Sequence, residues 1–184
     1  EQNGFRYLWD SESEIGTVKE YLEKQTDSVL VFNHATGAWE LVLFRLDYNP
    51  ATVPVLDGTH VVELDDTADS SFEETFNIFR VDYAEPSLDY GQTYALAQDG
   101  ANQAITGRLT PTTISYPGCK TANLANALAW RDLRQGSFPV RRFTVVLNRK
   151  AYGIKFGDVR RFTYGNFNFL ARVVGTDYSN LDDN

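Results

Sequence analysis

The chain contains no methionine, one cysteine (Cys119) and two histidines (His34 and His60) in 184 residues. A complete translation product begins with methionine and this one begins Glu1-Gln2-Asn3, so a piece of a longer polypeptide is expected. One cysteine excludes an intrachain disulfide framework. A zinc site would have to gather Cys119, His34 and His60 from three distant segments, so no metal is expected. No apolar run approaches the ~18 residues of a membrane-spanning helix, and no signal-peptide pattern occurs. Asn-x-Ser/Thr sequons are absent, as are the P-loop, the dinucleotide-binding glycine motif, the nucleophile elbow and the zincin motif. Asp65, Asp66 and Asp69 lack the alternation, central glycine and distal glutamate of a calcium loop, and read as a solvated linker. Cys119 sits just before a helix, where a thiolate is favoured, but no histidine or asparagine partners it in sequence, and a structural role is expected. No cofactor and no catalytic residue is assigned.

What the chain has is aromatic residues: 10 Tyr and 12 Phe, a bias that favours sheet. Hydrophobic content of 42% suffices for a core. In residues 137–178, Phe143, Val145 and Leu147 alternate with Thr144, Val146 and Asn148, a strand period. Gly157-Asp158 is a turn signal before the run 159–164, and Phe169, Ala171 and Val173 share a third strand's face. Three consecutive strands predict a meander, material for a small barrel or sandwich. Gly157 is expected in a conformation costly to other residues.

Earlier, Ser11 and Glu14 form a capping box before Ile15, Val18 and Leu22, which predicts a helix over 12–25. SVLVFN and AWELVLFRL, joined by His34-Ala35-Thr36-Gly37, read as a hairpin expected to pack on that helix. Residues 49–57 read as irregular. The acidic stretch 64–71 is the candidate domain boundary. Strands are expected at 76–83, 94–97 and 105–115. A second helix over 120–135 is predicted from the Thr121 cap, Ala125, Leu128, Ala129 and Leu133, with Gly136 as its C-terminal glycine and Pro139 beyond. The fold class is α+β, mainly β: a small α/β unit over 1–66, then a β-barrel-like domain over 67–184 with one inserted helix.

Residues 1–99 hold 5 Lys+Arg against 20 Asp+Glu, a balance of −15; residues 100–184 hold 12 against 5, or +7. Such asymmetry can mark nucleic-acid binding, contact between subunits, or plain solvated surface. The arginines of the 141–161 region are split between strand faces, which argues against a nucleic-acid groove.

Four stretches in order carry a resemblance: AWELVLFRLDYNPATVPVLDGTHVVEL, FNIFRVDYAEPSLDY, the run 113–159 with its Ala-rich helix and Gly-Asp-Val turn, and LARVVGTDY. Together the chain resembles the tail-tip or baseplate hub proteins of long-tailed phages and related tail-like or gene-transfer particles. It departs at Trp130, where the family more usually carries a small residue, and in the aromatic-rich stretch 162–169. The resemblance implies a non-enzymatic virion component at the tail tip. It implies a homotrimeric ring that closes the tail tube, contacts tube, distal-tail or fibre proteins, and lets DNA pass through its lumen without specific binding. Trp130 lies opposite the apolar stripe of its helix and is the first subunit-interface candidate. Arg131, Arg134, Arg141, Arg142, Arg160 and Arg161 are the basic candidates. An extracellular carbohydrate-binding β-module is the alternative from another class. A hydrolase with a spatial carboxylate pair is a third.

Overall fold

The computed structural model describes residues 4–7, 14–33, 36–45 and 48–177. The capping residue Ser11 and the turn residue His34 lie outside them. Helix α1 (Ile15–Thr26) starts at the first residue of the apolar period, three residues later than the capping box predicts, with Glu14 at its cap making no side-chain bond. The strands are β1 (Ser28–Asn33), β2 (Ala38–Leu43), β3 (Val55–Leu56), β4 (Val61–Asp69), β5 (Ile78–Glu85) and β6 (Gly91–Gln98). Helix α2 (Gly100–Thr106), β7 (Pro111–Ser115), helix α3 (Ala122–Gly136), β8 (Arg141–Leu147), β9 (Val159–Tyr164) and β10 (Phe167–Arg172) follow. The fold is mixed and mainly β, and no sheet closes into a barrel among the described residues.

The chain forms two compact units that alternate along the sequence: residues 1–28 with 69–141, and residues 29–68 with 142–184. The acidic stretch near residue 66 is therefore not a linker between consecutive blocks. It runs within β4, which pairs with β8, and that pairing overrides the low strand propensity of Asp65 and Asp66. Helix α1 belongs to the first unit and the β1–β2 hairpin, past Ser28, to the second.

The first unit is a three-stranded sheet, in order β6-β5-β7, with α3 against one face. Strand β5 is antiparallel to β6 and parallel to β7. Phe79, Val81 and Tyr83 of β5 alternate inward and meet Ala95, Ala97, Leu124, Ala125, Leu128, Ala129 and Leu133. The helix period and the strand period thus point at one core. Thr121 caps α3, accepting from the Leu124 amide. Gly136 is the last residue of that helix, not a residue beyond it. Residues 99–107 form α2 where a longer strand was expected: Asp99 accepts from the Ala101 and Asn102 amides, and Gly107 closes the helix at φ +67°. Only 111–115 remain strand. Buried Asn77 and Asn102 stitch these parts together. Asn77 donates to Asn102 Oδ1 and the Arg108 carbonyl, and Asn102 donates to Thr75 Oγ1 and the Ser137 carbonyl. Buried amides persist because they are satisfied in this way.

The second unit holds a three-stranded sheet β10-β9-β3, in which β3 runs parallel to β9, plus the β1–β2 ribbon and the β4–β8 pair. The expected meander is only half present. β9 and β10 form a hairpin, but β8 pairs with β4. Strand β8 joins through its side chains instead: the Phe143 ring lies 5.2 Å from that of Phe162 and 4.9 Å from that of Phe169. The short β3 lies inside the segment expected to be irregular. Gly37 turns the ribbon at φ +67°, as the hairpin reading requires.

Candidate assembly surfaces

Helix α3 presents two faces with different tasks. The inner one is core. On the outer one Trp130 is 47% exposed, with Asn123, Asn126, Ala127 and Arg134 exposed around it. Its neighbour Arg131 points elsewhere. The Arg131 guanidinium donates to the Lys24 carbonyl at 2.9 Å and the Gln25 carbonyl at 2.7 Å, capping the free end of α1. It also holds Asp132 at 2.7 Å, and Tyr116 donates its hydroxyl proton to the other oxygen of that carboxylate at 2.5 Å. Burial and the Asp132 charge push the Tyr116 hydroxyl far above its ordinary range. Burial works against the Arg131 charge, but Asp132 outweighs it and holds that guanidinium protonated. Sequence spacing marks Arg131 as a surface cation; its role as a pin between two helices depends on a contact more than a hundred residues away.

The other arginines divide similarly. Arg160 pairs with Asp158 at 2.6 Å, and Arg161 donates to the Pro50 carbonyl and to Asn168. Both are half-buried within the second unit. Arg134, Arg141 and Arg142 are exposed. The charge split also changes character on folding. Counted by compact unit, the first holds nine Lys+Arg against fifteen Asp+Glu, a balance of −6; the second holds eight against ten, or −2. The acidic half and the basic half each contribute to both units, so no block of −15 faces a block of +7.

Apolar exposure is the stronger surface signal. On the ribbon, Phe32, Trp39, Leu41 and Leu43 are all exposed, and the Phe32 and Trp39 rings meet edge to face at 5.4 Å. On the first unit's sheet, Tyr94 and Leu96 are 58% and 49% exposed, and the Arg80 guanidinium stacks 4.5 Å above the Tyr94 ring. Single exposed apolar residues are ordinary, whereas grouped ones mark contact surfaces.

Reactive groups are few. Among the described residues no cluster of three His, Cys, Asp or Glu could hold a metal ion. Cys119 is fully buried, and burial pushes its thiol upward, against the thiolate a helix start would favour. His60 lies 2.8 Å from Asp57, in a turn where Asp57 also accepts from the Thr59 hydroxyl and amide. An open groove of about 410 Å³ in the second unit is lined by Arg45, Tyr48, Asn49 and Arg172. Arg172 is committed there, donating to the Arg45 carbonyl and lying over the Phe44 ring. No described helix is long and apolar enough to cross a membrane.

Residues 46–174 match the family described as "Putative phage tail protein". No curated protein sequence matches the chain. Among solved structures, a chain from the virion of a native gene transfer agent particle superposes with a TM-score of 0.61 at 14% identity, over 87% of this chain and 35% of that one. The 43 kDa tail protein of prophage MuSo2 from Shewanella oneidensis gives 0.48 at 16% identity, over 83% of this chain and 46% of that one. The chain spans less than half the length of either. The first likeness concerns the fold, while the family match covers most of the sequence, so the chain belongs to this phage tail protein family and is a component of a tail-type virion.

Proposed function

We propose that the chain is part of a tail-tip hub, a structural ring of three copies that closes the tail tube and joins it to a fibre or spike. The observation that carries this reading is the grouped apolar exposure on both units, around Trp39 in one and around Tyr94 and Leu96 in the other. A tail component buries such surface against neighbours in the particle. Trp130 supplies a further anchor of the residue type most often central to interfaces. In this role the protein performs no chemistry, and DNA crosses the ring without specific contacts. The ribbon's large exposed side chains are apolar, and its one acidic residue, Glu40, bonds to Asn33 and pairs with Lys155 at 3.8 Å. That composition suits protein contact better than sugar recognition, which needs polar groups beside the aromatic ones.

The test is the native mass of the purified chain by light scattering, together with antibody labelling of intact particles. A three-fold mass and label at the tail tip support the hub reading. A monomer at all concentrations, or label along the whole tail, would replace it with a tube or accessory role.

A further inference from the structure

Strand β6 is an edge that the protein leaves unguarded. Its eight residues, Gly91–Gln98, carry no charge and no proline, and they pair with β5 in unbroken register from Gly91↔Glu85 to Gln98↔Ile78. Natural edge strands are normally protected by charges, prolines, bulges or short length. Here every second residue turns its N–H and C=O away from β5, and among the described residues no group takes them. Of its four exposed side chains, Tyr94 and Leu96 are apolar and Gln92 and Gln98 are polar but uncharged. Most other strands differ; β3 and β7 are uncharged too, but they are only two and five residues long. β2, β4, β8, β9 and β10 carry charged residues. β1 lacks charge, but Leu30, Phe32 and Asn33 already have partners.

The geometry points to β6 as the docking edge for β7 of a second copy of this chain. The sheet has a second open edge at β7, and the two edges run in opposite directions, since β6 is antiparallel and β7 parallel to β5. Copies related by rotation about an axis along the strands keep their strand directions. The β7 of one copy then meets the β6 of the next antiparallel, the commoner sheet pairing. Two different edges meeting in this way form a head-to-tail contact that can repeat around a ring. Pro111 does not obstruct it, because proline is tolerated at the first position of a strand. Each copy would keep α3 on one side of the extended sheet and Tyr94 and Leu96 on the other. The inference rests on the ring reading for the existence of a self-contact, and adds which edges form it.

Hydrogen exchange across a concentration series of the purified chain, run beside light scattering, tests the pairing. The expected result is slower amide exchange in Gly91–Gln98 and 111–115 as copies associate. Leu96→Lys, at a half-exposed position, should weaken association about tenfold or more. Val62→Lys, at a comparably exposed position of the second unit, should not. A ring whose β6 amides exchange as fast as in the monomer overturns the edge assignment and leaves the ring reading intact. Failure to associate at any concentration overturns both.

Discussion

Gly136 and Phe76 occupy one space that only a glycine leaves free: a Cβ on Gly136 would lie 1.9 Å from Phe76 Cζ. The Phe76 ring is held in turn by Phe79, 5.2 Å away. Alanine is the better helix former by about 1 kcal/mol. Gly136→Ala should nonetheless destabilise the first unit by about 1–3 kcal/mol through overpacking. Thermal melting of the single variant and of Gly136→Ala/Phe76→Leu checks this. Recovery in the double variant is expected, and additive losses would place the effect in the backbone.

Gly157 combines two constraints. Its φ is +86°, and a Cβ would meet Val42 Cγ1 at 2.4 Å. Gly157→Val should lower stability by about 1–3 kcal/mol. An unchanged denaturation midpoint would show that the turn can rebuild.

Arg131 serves three groups at once: Asp132, Tyr116 and the end of α1. Arg131→Ala leaves the buried Asp132 carboxylate with the Tyr116 hydroxyl but no cation, and two helix carbonyls without that donor, and should cost about 3–5 kcal/mol. Arg131→Ala with Asp132→Leu should recover part of that loss, since no lone charge stays buried. Chemical denaturation of both variants measures it.

Asp57 titrates at about 2, held down by the Thr59 hydroxyl and amide and then by His60. Its folded-state pKa lies below the unfolded value of 3.8. The stabilisation is therefore present above that value and fades as pH falls from about 4 towards 2. Carboxyl-carbon NMR should place the Asp57 midpoint in that low range, and Thr59→Ala should raise it.

Trp130→Ala should separate assembly from folding. The side chain lies on the outer face of α3, so monomer stability should change by less than about 1 kcal/mol. Subunit association should weaken clearly more than that. Equal losses in melting and in association would show that the indole packs on its own domain.

How much of this could be read in the sequence depended on range. Helix α3 was legible because Thr121, Ala125, Leu128, Ala129 and Leu133 encode cap and stripe within one segment. The left-handed glycines at 37 and 157 were legible for the same reason. Helix α2 was missed although Asp99 and Gly107 frame it, because the apolar residues between them are too few to set a period. The partnering of β8 with β4, the burial of Arg131 and the purpose of Gly136 were not legible. Each is decided by a residue far along the chain. The charge asymmetry belongs to sequence halves, and these are not the folded units. Of the surface candidates, Trp130, Arg134, Arg141 and Arg142 stay exposed, while Arg131, Arg160 and Arg161 are drawn into internal bonds.

The alternation of the two units along the chain sets an order of events during synthesis. Residues 29–68 leave the ribosome before either of the segments that complete a unit, and they must wait until 142–184 emerge. The first unit can close once residue 141 is out, with the waiting segment held as a long loop. Such delayed, sequence-distant pairing slows folding and leaves apolar strands unpaired meanwhile. The β1–β2 hairpin can pair within itself in that interval, whereas β3 and β4 have no partner until β9 and β8 are made, so the risk of premature association lies with them.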